Sequence, residues 1–244
     1  DSLRRAKTVQ ARPPQHRDDV PAGRDQPREL RGRRGVEDAQ RRHRRSGDPA
    51  RRAGNEMLFQ MQALSNIEIF KMYEIKKIIT ICPHCYNTLK NEYPDLGCEC
   101  EVVNYTEFLE NMIKQGKLKI DKTKLANKIV TFHDPCYLGR ANNIYESPRF
   151  LLQSLGINLV EMERNRSFAL CCGAGGAQMF KDAEKGDKEI FIERTEDALK
   201  TQAEIIASSC PFCMTMMTDG LKYKNKEEEI QNLDIIEMIA EAMI

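Results

Sequence analysis

The sequence predicts an α/β fold built on parallel sheet, in two similar lobes of which the first is incomplete. Three observations carry this expectation. From about residue 47 onward strands and helices alternate, as in folds with helices on the faces of a parallel sheet. Short β-branched runs, Lys76–Ile81 and Lys128–Phe132, have the character of buried parallel strands. A unit of strand, Cys-Pro-X-Cys and helix occurs at 76–91 and again at 204–222, an internal repeat.

The elements follow in order. Residues 48–71 read as one helix, with Met57, Met61, Leu64 and Ile67 recurring at spacings of three and four. Strand 76–81 runs into Cys82-Pro-His-Cys85, and residues 86–93 read as a helix ended by Pro94. A strand at 101–104 and a helix at 106–114 close the first lobe. Gly116 and the charged run to Lys124 mark a boundary. Strand 128–132 then leads into His133-Asp-Pro-Cys136. Ser147 caps a helix with Pro148 at its first position, and Gly156 ends it. A strand at 158–162 and a loop lead to Cys171-Cys-Gly-Ala-Gly-Gly176. A long amphipathic helix at 188–202 precedes strand 204–207, Cys210-Pro-Phe-Cys213 and a helix from Met214. The last pair is a strand at 230–233 and a helix at 235–243.

Residues 1–46 differ from this. They lack aromatic residues, cysteine and hydrophobic periodicity, and cannot bury enough apolar surface to offset the entropy of ordering them. Residues 1–53 carry 15 Arg and one Lys against eight acids; residues 54–244 carry 17 Lys and five Arg against 29 acids. The formal net charge of +1 therefore averages two unlike parts. Residues 1–46 read as a disordered segment, or as sequence not native to the protein. A nucleic-acid-binding arm is disfavoured, because the charge comes without aromatic residues. The expected organisation is thus 1–46 disordered, 47–120 a partial first lobe and 121–244 a complete second one.

Nine cysteines set the chemistry. No stretch approaches the roughly 20 apolar residues of a membrane span, and no signal sequence is recognisable. A cytoplasmic location is the expectation, and there reduced thiols point to metal or redox chemistry rather than disulfide staples. Cys82, Cys136 and Cys210 each lie just past the carboxyl end of an expected strand, and Cys171-Cys172 follow a strand by a short loop. In an open parallel sheet those ends line one crevice, where ligands gather. Thiols near helix N-termini ionise readily, and thiolate is the soft ligand of iron–sulfur clusters and of zinc. Gly173 and its neighbours would let backbone N–H groups approach such a cluster.

Two other readings compete. A lone Cys-X-X-Cys would suit a thioredoxin-like redox site, but leaves the Cys171-Cys172 pair unexplained. A structural zinc takes four ligands, whereas the C-terminal set offers five.

Cys136, the doublet Cys171-Cys172 with Gly173, and Cys210-X-X-Cys213 together resemble the CCG, or cysteine-rich, domain. From Gly47 to Lys222 the chain is similar to the C-terminal part of bacterial iron–sulfur oxidoreductases of that group, with Cys82-Pro-His-Cys-Tyr-Asn-Thr-Leu-Lys-Asn91 a close match. The family includes heterodisulfide reductase catalytic subunits and the iron–sulfur subunits of glycolate oxidase.

The resemblance implies a [4Fe–4S] cluster, of non-cubane kind in heterodisulfide reductases, held by Cys136, Cys171, Cys172, Cys210 and Cys213. It implies electron transfer within a larger oxidoreductase, with a flavoprotein or another iron–sulfur protein as donor and a quinone or disulfide as acceptor. Through such partners the chain would sit at the inner face of the membrane. Disulfide reduction at the cluster itself and a zinc-stabilised module are the alternatives. In the first lobe Cys82 and Cys85 match the family's closing pair, but Arg45-Ser46 stand where its doublet belongs, so this second site is incomplete.

Smaller features divide evenly or toward structure. His133 and Asp134 suit either a hydrogen bond to a ligating sulfur or a plain turn, and Arg140 either charge balance or a solvated surface. Cys98 and Cys100 read as unpaired thiols away from both motifs. Met214, Met216 and Met217 read as core filling.

Overall fold

The computed structural model describes residues 46–176, 178–180 and 186–244. The expected disordered segment therefore lies outside the described residues, apart from Ser46.

The fold is α/β with parallel sheets. In the second lobe β3 (Ile129–Phe132), β4 (Asn158–Leu159), β5 (Ile205–Ser208) and β6 (Gln231–Asp234) form an all-parallel sheet in the order β4-β3-β5-β6. Helices α5 (Glu146–Ser154) and α8 (Ile235–Ala242) cover one face, and α6 (Ile190–Lys200) and α7 (Pro211–Tyr223) the other. The strand pleat sorts residues between these faces. Val130, Phe132, Ile205 and Ala207 point to the side of Leu151, Leu152, Met238 and Ile239. Ile206 faces Met162, Ala198, Met217 and Leu221. Helices α6 and α7 pack so closely that a Cβ at Gly220 would lie 1.9 Å from Thr195 Oγ1, which only glycine avoids.

The first lobe has only β1 (Lys77–Thr80) and β2 (Glu101–Asn104), paired in parallel from Lys77↔Glu101 to Thr80↔Asn104. Phe59, Ala63 and Ile67 of α2 (Glu56–Met72) pack on Tyr86, Leu89, Tyr93, Cys98 and Val102. Helix α4 (Tyr105–Lys114) follows β2 and sends Leu109 and Ile113 into the core of the second lobe. No helix among the described residues is long and apolar enough to cross a membrane.

Several elements depart from the expected ones. The single helix over 48–71 is two, α1 (Asp48–Arg52) and α2: Gly54 turns left-handed at φ 86°, and Asn55 caps α2 by accepting a hydrogen bond from Leu58 N–H. Helices α3 (Pro83–Asn87) and α7 begin inside the Cys-Pro-X-Cys motifs, three residues before the expected starts, because Cys82 and Cys210 are the N-caps and the following prolines take the first helical position. Helix α5 begins at Glu146, with no side-chain cap from Ser147. Strand β1 is not buried as its β-branched run implies. Ile79 is 46% exposed, because β2 is its one neighbouring strand among the described residues.

Candidate metal centre

The site is built at the carboxyl ends of the strands. Cys82 follows β1 and Cys210 follows β5, each in extended backbone at a helix N-terminus. Cys136 lies beyond β3. Cys171 and Cys172 come from the loop after the 3₁₀ turn Arg166–Phe168. Gly173, left-handed at φ 88°, turns that loop so that its own N–H donates to Cys171 Sγ at 3.3 Å.

These thiols form one string in which each shifts the titration of its neighbour. Cys136 pairs with Cys171, Cys171 with Cys172, Cys172 with Cys213, and Cys213 with Cys210. The string continues into the first lobe, from Cys210 to Cys82 and from Cys82 to Cys85. Cys82, Cys172, Cys210 and Cys213 are buried; Cys136 and Cys171 are half-buried. The structure thus brings together all five C-terminal cysteines expected at the site. It also adds Cys82, which the sequence placed in a separate, incomplete one.

The electrostatics alternate along the string. Hydrogen bonds from Cys136 and Cys172 hold the Cys171 thiol well below its ordinary pKa. Burial pushes Cys210 up, but hydrogen bonds from Cys213, Cys82 and His84 outweigh it and hold that thiol well below its ordinary value. The partners move the other way. Cys136 is raised by its bond to Cys171 and by burial, Cys172 by its bond to Cys171, and Cys213 by its bonds to Cys172 and Cys210. Burial and the bonds to Cys210 and Cys85 raise Cys82. The protons of the neighbouring thiols thus favour the thiolate form at Cys171 and Cys210. Ionising the remaining thiols requires positive charge among the sulfurs, which is what a bound metal centre provides. Five sulfurs exceed the four ligands of a tetrahedral zinc.

Beside the thiols lies His133, one of the two residues the sequence offered as a hydrogen-bond partner for sulfur. His133 is fully buried, and a nitrogen of its ring, Cys172 Sγ and Cys213 Sγ lie within 4.8 Å of one another. Burial, with the charge of Arg194, depresses the His133 pKa to about 3, so the ring is neutral. Arg194, also fully buried, donates from Nε to His133 Nδ1 at 2.9 Å. His133 Nε2, Arg194 Nη2 and Ser208 Oγ have no hydrogen-bond partner among the described residues. An orphaned buried nitrogen on His133, whose ring lies close to the thiols of Cys172 and Cys213, fits a sulfur-rich anionic group.

Asp134 does not face the thiols. It accepts a bidentate pair from buried Arg149 at 2.8 and 2.9 Å and fixes the loop after β3. Arg140 donates to the Ala169 carbonyl at 2.5 Å and bridges that loop to the doublet. Met217 is core, as expected, while Met216 packs against the thiols. Cys98 and Cys100 sit apart in the first lobe, where the thiol of Cys100 donates to the Ile75 carbonyl at 3.2 Å. Arg194 and Arg149 do not stand out in the sequence, each being one of several polar residues on a short helix, and His84 is the variable residue of a Cys-Pro-X-Cys motif.

In the first lobe the thiol of Cys85 donates to Ser46 Oγ at 3.3 Å, where Cys213 meets Cys172 in the second. Gly47 after Ser46 is left-handed at φ 81°, as Gly173 is after Cys172. Asp48 next to it binds His84 Nδ1 at 3.0 Å. Burial pushes the His84 pKa down, but hydrogen bonds with Asp48 and Cys210 raise it to about 10. The ring stacks on Tyr137 at 4.2 Å and meets Phe212 edge-on at 4.9 Å.

The cysteine-rich (CCG) domain model matches residues 26–90 and 130–218. The chain belongs to the cysteine-rich (CCG) domain family. The first match begins at residue 26, inside the Arg-rich segment that composition set apart.

Among curated relatives, the probable iron–sulfur-binding oxidoreductase FadF of Bacillus subtilis is 46% identical over 204 residues, 83% of this chain and 28% of that protein. The EtfAB:quinone oxidoreductase of Syntrophomonas wolfei is 43% identical over 203 residues, 81% of this chain and 28% of that protein. A component of the dihydromethanophenazine:CoB–CoM heterodisulfide reductase of Methanosarcina mazei is 38% identical over 187 residues, 74% of this chain and 44% of that protein. The chain spans less than half the length of each of these relatives.

Proposed function

We propose that this CCG chain is an iron–sulfur electron-transfer module of a larger oxidoreductase, holding one [4Fe–4S]-type cluster, cubane or non-cubane in form, through Cys136, Cys171, Cys172, Cys210 and Cys213. The observation that carries the reading is the unbroken string of five thiols drawn from three remote stretches of chain into one buried crevice. Cys171 and Cys210 are already held toward the thiolate, and a metal would draw the remaining protons off their neighbours. When bound, the cluster supplies a one-electron redox centre. The chain's own residues ligate it, exclude water from Cys172, Cys210 and Cys213, and offer the backbone N–H of Gly173 to sulfur.

The relatives support the setting. One is an EtfAB:quinone oxidoreductase, which favours a flavoprotein donor and a quinone acceptor; another is named for a heterodisulfide. We further propose a cytoplasmic location, at the inner face of the membrane through partners. Residues 47–120 are then a partial copy of the domain and 121–244 a complete one.

Anaerobic reconstitution with iron and sulfide, followed by metal and sulfide analysis and EPR, tests the reading. The expected result is a coloured protein with close to four irons per chain. A colourless chain holding stoichiometric zinc and no iron would overturn it.

A further inference from the structure

His133, Cys172 and Cys213 converge as three potential ligands, and on distance alone the imidazole could bind metal. The partner of its Nδ1 decides otherwise. A histidine that ligates metal through one nitrogen usually donates the N–H of the other to a carboxylate, carbonyl or water. Here the polarity is reversed. His133 Nδ1 faces Arg194 Nε at 2.9 Å, and a guanidinium has five N–H donors and no acceptor. Nδ1 must therefore present its lone pair to Arg194. A neutral imidazole carries a single N–H, which is then on Nε2, left without a hydrogen-bond partner among the described residues on a ring that lies close to Cys172 and Cys213.

Arg194 cannot easily turn away to release this arrangement. Its Nη1 donates to the Arg164 carbonyl at 2.7 Å and lies 3.4 Å from Asp197 Oδ2. Asp197 is in turn held by Arg164 Nε at 2.7 Å. The side chain of Arg194 is fully buried on α6, so no water competes for Nε.

We propose that Arg194 fixes His133 as its Nε2–H tautomer, which makes His133 a hydrogen-bond donor to the sulfur shell of the centre and not a metal ligand. Arg194 is a positioning residue that acts through His133. The inference rests on the iron–sulfur reading for the identity of the acceptor, whereas the tautomer belongs to the polypeptide alone. A donor to cluster or ligand sulfur stabilises the more negative, reduced state and so raises the reduction potential.

Two measurements on the full chain test this separately. The first is long-range ¹H–¹⁵N NMR of histidine-labelled protein without metal. The expected spectrum shows His133 protonated at Nε2, and Arg194→Met releases it to a mixture of tautomers. Protonation at Nδ1 in the unsubstituted chain would overturn the inference whatever metal the protein binds.

The second is an EPR-monitored redox titration of the reconstituted chain. His133→Phe is expected to keep its iron and to disfavour reduction about tenfold, about 59 mV for a one-electron couple. His133→Gln, which restores an N–H, recovers most of that shift. Loss of iron in His133→Phe, with iron retained in Cys85→Ala, would show a ligand and overturn the inference. Equal potentials in His133→Phe and the unsubstituted chain would overturn it too. A chain that takes up no iron at all, yet shows the Nε2–H tautomer, would sink the iron–sulfur reading and leave the tautomer standing.

Discussion

The two lobes use one backbone motif for opposite ends. In both, a left-handed glycine (Gly47, Gly173) precedes the strand that ends in Cys-Pro-X-Cys and the helix that starts there. In the second lobe the residue before that glycine is Cys172, and the pocket fills with sulfur. In the first it is Ser46, and the same pocket is closed by ionic and polar groups. Asp48 joins His84 at 3.0 Å and Arg52 at 3.1 Å, and Glu92 takes Arg51 at 2.9 Å as well as Arg52. A thiol crevice needs an ion to ionise it, whereas a network of opposite charges is complete by itself. The first lobe has become a support for the second: His84 reaches Cys210 and packs between Tyr137 and Phe212.

The largest expected contrast follows directly. Cys172→Ala should abolish cluster assembly, with iron falling to background in a reconstituted, desalted sample. Cys85→Ala, in the first lobe, should keep near-complete iron. Equal losses in both variants would mean that the lobes share one ligand set more evenly than the string of thiols implies.

Next in size is the scaffold of the second lobe. Arg149 and Asp134 are each 3% exposed, and Glu161 adds a second carboxylate to the guanidinium. Arg149→Met leaves Asp134 buried without its partner, which costs on the order of 3–5 kcal/mol. Chemical denaturation of the metal-free chain should show a lower midpoint with little change in slope.

A smaller effect distinguishes the caps of the equivalent helices α4 and α8. Asn104 caps α4, accepting from Thr106 N–H at 3.0 Å, and is neutral at any pH. Asp234 caps α8, accepting from Ile236 N–H at 3.0 Å and from Tyr105 O–H at 2.6 Å. Burial raises the Asp234 pKa to about 7, against the Tyr105 hydrogen bond, which lowers it. Between the unfolded value near 3.8 and about 7 the folded state holds a proton that the unfolded state has lost. Stability therefore falls as pH rises through that window and levels off above it. Asp234→Asn retains the cap and should remove this slope. Thermal unfolding of the two proteins from pH 4 to 8 checks the difference, and parallel curves would refute it.

Much of this was legible in the sequence because it is local. The alternation of strands and helices, the thiols at strand ends and the internal repeat all follow from short-range pattern, and the cysteine doublet with its spacing pointed to the family. What remained hidden depends on contacts across the chain. Cys82 and Cys210 lie far apart in sequence, and only the packing of one lobe on the other joins them. Arg194 reads as one more charge on an amphipathic helix until the fold turns it inward to His133. The break at Gly54-Asn55 was a different failure: apolar spacing carried through a cap whose residues announce it. Strand β1 looked buried because composition reports what a strand could bury, not whether its neighbours are there.

The smallest expected effect is the one that asks whether a single residue separates the lobes. Ser46→Cys rebuilds the second half of the doublet before Gly47, 3.3 Å from Cys85 as the hydroxyl now stands. The substitution is nearly isosteric, and the backbone turn it needs is already in place at Gly47. Yet Cys82 is engaged with Cys210, and among the described residues no thiol of the first lobe corresponds to Cys136. Asp48 and His84 also occupy the space that a second centre would need. Iron per chain should therefore remain at the unsubstituted value, with little change in the EPR signal. A doubling of iron with a second, distinct signal would show that Ser46 alone holds the first lobe empty, and that its ion pairs yield readily to metal.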